Sequence, residues 1–321
     1  MHSTTVSIGT WGKYNSAYQK FNKYCTLFQI EAKWPLDETW LHGFAMWALY
    51  EEKLNPDTVK TYIFALSRIQ KMHGGPGISV AKSPTLSLLL TGARNRQIAR
   101  HPQKKRETIT FSRMKTLQQK IFSSQWSPFN KLAMWCVCLI CFFGSFRPGE
   151  LLTRRTKRYD KTANLLTKHV KFDKTSNTWH FWVKSPKTGN PQGESVYLFP
   201  FSEPLFCPVY TLNKYVRLLK KNHLFSPELP FFRFKSGRNI TIKKLNSVLG
   251  RFLPLKGNKK LTAHCFRSGF ISSAANLPDV VNDPHLKGWG RWKSNTFPRY
   301  KLFDLEQKRW IFNRLVQSLK S

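Results

Sequence analysis

The chain has 321 residues, of which 53 are lysine or arginine and 17 aspartate or glutamate, so its formal net charge at pH 7 is +36. A charge of that size repels itself in a compact state and calls for a polyanion, with nucleic acid first and an anionic membrane surface second. The membrane is the weaker reading: the longest apolar run, LAMWCVCLICFFGSF at 132–146, is shorter than the ~20 residues of a spanning helix, and MHSTTVSIGTWGKYN lacks the features of a secretory signal.

The length suits two compact domains. Cys136, Cys138 and Cys141 lie inside the apolar run and Cys25, Cys207 and Cys265 are isolated, a pattern of reduced core residues rather than of a disulfide framework. Cys138 and Cys141 have the spacing of a zinc half-site, but no second pair completes it.

Residues 1–100 read as a module of about four helices. GKYNSAYQKFNKYCTLFQ spaces Tyr14, Tyr18, Phe21, Tyr24, Cys25 and Phe28 as one apolar face. Asp37 opens a second helix, LDETWLHGFAMWALYEE. Asn55 and Pro56 open a third, which ends at Gly74 and Gly75, and SPTLSLLLTGARNRQIAR makes a fourth. HPQKKRETIT, residues 101–110, reads as a basic interdomain linker. Its Lys104, Lys105 and Arg106 are a solvated cluster, a set of phosphate contacts or a nuclear import signal.

Residues 111–321 read as a mixed second domain. A helix over 111–121 precedes the apolar helix ending at Phe143, and GSFRPGELLTRRT turns a corner into a new helix near Pro148. HVKFD, TWHFWVKS and ESVYLF, with turn residues NPQG before the last, predict a small antiparallel sheet. Helices resume at Pro208 with YTLNKYVRLLKKN, TIKKLNSVLGRFL and LTAHCFRSGFISSAANL. In the final DLEQKRWIFNRLVQSLK, Leu305, Trp310, Ile311, Leu315 and Leu319 fall on or near one helical face. The fold class is therefore mainly α with a small antiparallel β-sheet (α+β).

Three stretches carry candidate chemistry. His264 and Arg267 are three apart on one helix, so they share a face. Arg147 follows the most apolar helix, where an unpaired buried charge is costly, and Glu150 stands three residues on as its partner. WGRWKSNTFPRYKLF, residues 289–303, surrounds Tyr300 with cations. A tyrosine hydroxyl in such a setting can attack a phosphodiester, and two arginine forks can hold the negative charge that develops on the phosphate oxygens. A lysine on a hairpin can protonate the leaving oxygen, and an imidazole can manage the tyrosine's proton.

In chain order, SFRPGEL, the hairpin KSPKT, HCFRSGF, and GRW followed eight residues later by Tyr300 resemble the signature of tyrosine recombinases, the phage-integrase superfamily. GRWKSNTFPRY is most similar to the eukaryotic mobile-element branch, the crypton and DIRS-type recombinases. The motifs span about residues 105 to 303, and TVKTYIFALSRIQ and LLLTGARNRQ extend the likeness loosely into the N-terminal module.

The resemblance implies a helical core-binding domain over 1–100 and a catalytic domain over 111–321, forming a C-shaped clamp on double-stranded DNA. It implies that Arg147 and Arg267 hold the scissile phosphate, that Glu150 orients Arg147, and that His264 handles a proton. Lys187 matches the hairpin general acid, with Lys184 as the alternative; Trp292 matches the position filled by His or Trp, with Trp289 as the alternative. Tyr300 becomes the nucleophile of a 3′-phosphotyrosyl intermediate, for which neither metal nor nucleotide cofactor is needed. Ser268 stands where many relatives carry a basic or imidazole group. The family further implies a homo-oligomer, dimer to tetramer, on DNA, in which the tail helix caps its own domain or packs on a neighbour, and a nuclear location. The alternatives are a type IB topoisomerase-like enzyme that swivels and reseals one strand, and a domesticated DNA-binding protein without catalysis.

If ~6–10 phosphates are neutralised, duplex affinity falls by ~10³–10⁵ between roughly 50 and 200 mM salt. A titration by fluorescence anisotropy checks this, and an affinity indifferent to salt contradicts it.

Overall fold

The computed structural model describes residues 8–78, 80, 83–100, 107–184, 193–257, 260–275, 288–289, 291, 309–310, 312–314 and 317. The chain divides into two compact units, residues 1–105 and 106–321.

The first unit contains α1 (Ile8–Leu27), α2 (Glu38–Tyr50), α3 (Pro56–Met72) and α4 (Pro84–Arg100). Local chemistry sets their starts. The Asp37 carboxylate accepts the Trp40 N–H, and the Asn55 side chain accepts the Asp57 N–H with Pro56 in the first turn. Gly74, at φ 80, takes the left-handed conformation just after α3 that glycine adopts without strain.

Phe21, Tyr24, Phe44 and Trp47 form the aromatic centre of this unit. The buried row of α1 runs Tyr14, Ala17, Phe21, Tyr24, whereas Tyr18 and Phe28, expected on the same face, are exposed. Ala17 clusters with Ala65 of α3. Two small residues let the helices approach closely, so the contact line passes through position 17 instead of 18.

The second unit contains α5 (Phe111–Phe122), α6 (Pro128–Phe143), α7 (Pro148–Leu151), strands β1 (Val170–Asp173), β2 (Thr178–Val183) and β3 (Glu194–Leu198), then α8 (Pro208–Lys221), α9 (Ile242–Phe252) and α10 (His264–Ala275). Every residue of α6 from Ala133 to Phe143 is buried, as a helix apolar on all sides requires, and α5, α8 and α10 pack against it. Burial holds the Cys136, Cys138 and Cys141 thiols protonated. No helix among the described residues is long and apolar enough to cross a membrane. The sheet is antiparallel with order β1-β2-β3, and Phe181, Val183, Val196 and Leu198 turn their side chains into the core.

The helix after the corner starts at Pro148, as expected, and ends at Leu151, because Leu152 is extended and Thr153 pairs with Thr241 as a parallel bridge. The expected tail stripe needs correction. In the tail, Trp310 is 49% exposed while Phe312, absent from the expected stripe, is 1% exposed and packs on Phe143 and Phe199. Residues two apart on a helix point about 200° from each other, so only one of the two can face the core. Phe312 thus packs within its own domain; Leu305, Ile311, Leu315 and Leu319 lie outside the described residues.

The segment entering the second unit is pinned to α10. Ile109 is fully buried, its N–H donates to the Cys265 carbonyl at 3.1 Å, and a Cβ on Gly269 would run into the Ile109 carbonyl. Gly269→Ala must push residue 109 off the helix, with an expected loss of about 1–3 kcal/mol. Urea unfolding measures it, and an unchanged midpoint contradicts it.

Candidate active site

The corner after α6 is built to expose one carbonyl. Ser145 sits at φ 45, the left-handed region that favours glycine, where a serine costs about 1–2 kcal/mol. That turn aims its carbonyl oxygen at α10 and at the segment around Arg291: Arg267 Nη1 donates to it at 2.6 Å and Arg291 Nη2 at 3.2 Å.

One carboxylate completes the arrangement. Arg147, extended at φ −70 and ψ 134, precedes α7 and donates its backbone N–H to Glu150 Oε2 at 2.8 Å and its Nη1 to Oε1 at 2.9 Å. The same side chain is thus held through main chain and guanidinium together. Arg291 Nη2 reaches Glu150 Oε2 as well, at 2.7 Å. Its guanidinium lies 5.0 Å from the centroid of the Phe146 ring, within the range of a cation–π contact.

Three guanidiniums from three segments therefore meet over one carbonyl and one carboxylate. Arg147 and Arg291 bond a single carboxylate among the described residues, in a site where Arg267 is 7% exposed and the Arg291 side chain 8%. Burial first, then the like charges of Arg291 and Arg147, pull the Arg267 pKa down to about 10, low for an arginine but still protonated at neutral pH. Glu194, at the start of β3 opposite Val183, offsets this in part. A buried excess of positive charge is best compensated by a bound anion.

The other candidates fall in different surroundings. His264 is exposed in the first turn of α10, one turn before Arg267. Lys184 follows β2; burial first and then its charge lower the His169 pKa, while the Glu228 pKa is lowered chiefly by the Lys168 hydrogen bond, with Lys184 a minor contributor. Trp289 is a packing residue: its indole N–H donates to the Phe143 carbonyl at 3.1 Å and its ring stacks near Phe270 and Phe312. Lys104, Lys105, Arg106, Lys187, Trp292 and Tyr300 lie outside the described residues.

Arg291 and Ser145 are the participants the sequence reading did not single out. The signal for Arg291 was its place between Trp289 and Trp292, an aromatic setting that a solvated cation does not need. Ser145 carried none, because a left-handed serine has no sequence signature.

No protein-family model and no curated protein matches the sequence. Solved structures do match. XerH site-specific recombinase bound to a palindromic difH substrate superposes with a TM-score of 0.57 at 15% identity, over 96% of this chain and 77% of that one. The Tn1549 transposon integrase in complex with transposon right end DNA gives 0.57 at 14% identity, over 98% and 96%. The fold is that of a tyrosine recombinase. Within that fold, the described arginine cluster lies where the corner after α6, carrying Ser145 and Arg147, meets the start of α10, carrying Arg267.

Glu150 is the only carboxylate hydrogen-bonded to these guanidiniums among the described residues. Glu150→Gln removes the carboxylate charge that the largely buried Arg147 and Arg291 both bond, with an expected loss of about 3–5 kcal/mol. Urea unfolding of the second unit measures it; a change below about 1 kcal/mol contradicts the role given to the carboxylate.

Proposed function

We propose that the protein is a site-specific DNA recombinase of a mobile element, cutting and rejoining strands through a 3′-phosphotyrosyl intermediate. The observation that carries this reading is the convergence of Arg147 and Arg267 on the Ser145–Glu150 corner, with excess positive charge, inside a recombinase fold. XerH and the Tn1549 integrase were each captured on DNA, which supports duplex DNA as the partner, as does the net charge of +36.

In this reading the two arginine forks hold the non-bridging oxygens of the scissile phosphate, and Glu150 keeps Arg147 aimed at them. The Tyr300 oxygen attacks phosphorus, and the bond to the 5′ oxygen breaks. Lys187 gives that oxygen its proton, and the 5′-hydroxyl departs. Lys184 is the alternative for this task. His264 takes up the tyrosine's proton from the start of α10, and Trp292 lines the phosphate pocket. A free 5′-hydroxyl from a second duplex then attacks the phosphotyrosine and releases Tyr300. Each step exchanges one phosphoester for another, so the chain's own residues suffice for it.

At the level of the whole protein, residues 1–100 act as the core-binding domain and 111–321 as the catalytic domain. The linker over 101–110 crosses the duplex with Lys104, Lys105 and Arg106 on phosphates. Assembly on DNA is as a dimer to tetramer, exchanging strands through a Holliday junction. The motif GRWKSNTFPRY supports the crypton and DIRS-type branch and, with it, a nuclear location.

Tyr300→Phe is expected to abolish covalent attachment to nicked suicide substrates while leaving duplex binding unchanged, as read by denaturing gels and anisotropy. Covalent product in that variant contradicts the mechanism. Two-site DNA is expected to yield exchanged products or four-way junctions. Relaxation of supercoils without either supports the topoisomerase reading instead, and binding with no adduct at all supports a DNA-binding protein without catalysis.

A further inference from the structure

We infer that Arg291 is a positioning residue of the strand-transfer site, holding Glu150 and the Ser145 carbonyl so that Arg147 and Arg267 face the phosphate. The inference rests on the reading of the site as one that cleaves phosphodiesters.

The geometry argues against a merely structural arginine. Glu150 is already engaged by Arg147 through one bond to each of its oxygens, so the ion pair is complete without Arg291. Adding a second guanidinium at 2.7 Å places like charges together in a site only 5–16% exposed, and it is the largest charge contribution depressing the Arg267 pKa. A packing role beside Phe146 would be better met by an apolar side chain. Arg291 is nonetheless held there with its backbone at φ 51, and Ser145, whose carbonyl it shares with Arg267, is at φ 45. Two non-glycine residues in the left-handed region meet at one hydrogen-bonded node. Strain of this kind persists where surroundings over-determine it, and it gathers at functional sites.

The chemistry explains what such a node gains. A phosphodiester carries one negative charge in the ground state and close to two as the Tyr300 oxygen bonds to phosphorus and the 5′ oxygen begins to leave. Glu150 and Glu194 offset part of the positive charge of Arg147 and Arg267, and Arg291 adds one further charge to the site; interactions stronger in the transition state accelerate the step without tightening binding. By bridging Ser145 and Glu150, Arg291 also locks the corner that carries Arg147 to the carbonyl that receives Arg267.

The test compares Arg291→Met, which keeps apolar length beside Phe146 and removes the charge, with Arg291→Lys, which keeps the charge and loses the fork. Phosphotyrosyl formation is timed on a nicked suicide duplex at saturating DNA, alongside duplex Kd and melting temperature. Arg291→Met is expected to cleave about 100-fold more slowly, with Kd unchanged and a melting temperature equal to or above that of the wild type. Arg291→Lys is expected to recover part of the rate. Cleavage by Arg291→Met at the wild-type rate overturns the inference. So does a parallel fall in rate, affinity and melting temperature, the signature of a structural residue. No adduct from the wild type on any duplex removes the phosphodiester reading itself, and the inference with it.

Discussion

One carboxylate holds the candidate site together. Glu150 grips Arg147 through main chain and side chain and takes Arg291 on the same oxygen that receives the Arg147 backbone N–H. Without it Arg147 and Arg291 would lose the carboxylate that both of them bond in a nearly dry corner. The rest of the second unit serves that corner. α6 is buried on every side, so the residues at its end have a fixed platform. α10 packs along α6 and carries Arg267 to the Ser145 carbonyl, and the Gly269 crossing with Ile109 fixes α10 in turn. Phe312, from near the chain's end, closes on Phe143 and on Trp289, whose indole is bonded to the last residue of α6.

Much of the fold was legible in the sequence because its signals are local. Asp37, Asn55 and Pro56 open helices by hydrogen bonds within one turn, and a run as apolar as 132–143 can only be a core helix. The β-rich segments 170–173, 178–183 and 194–198 formed the antiparallel sheet that their composition predicted. The errors came where a distant partner decides the outcome. Ala65 draws Ala17 inward at the expense of Tyr18, and Phe143 selects Phe312 over Trp310.

The site divides along the same line. The pair Arg147 and Glu150 is three residues apart and readable from sequence alone. Arg291 and Ser145 are joined across 146 positions, and nothing local announces that contact. Similarity of fold to the XerH recombinase and the Tn1549 integrase at 14–15% identity is itself an expression of this physics. Burial pattern and helix packing can be conserved by many sequences, whereas a buried cluster of like charges has few solutions. The excess of positive charge is therefore the feature that most specifically asks for an anion, and the charge of the whole chain asks for a polyanion.

The most direct measurement is the crystal structure of the protein bound to a nicked suicide duplex. The account predicts the cleaved phosphate joined to Tyr300, with its non-bridging oxygens about 2.7–2.9 Å from guanidinium nitrogens of Arg147 and Arg267, and Arg291 still on Glu150. A phosphate seated on another face, with the three arginines bonded as they are now and no anion among them, would contradict it.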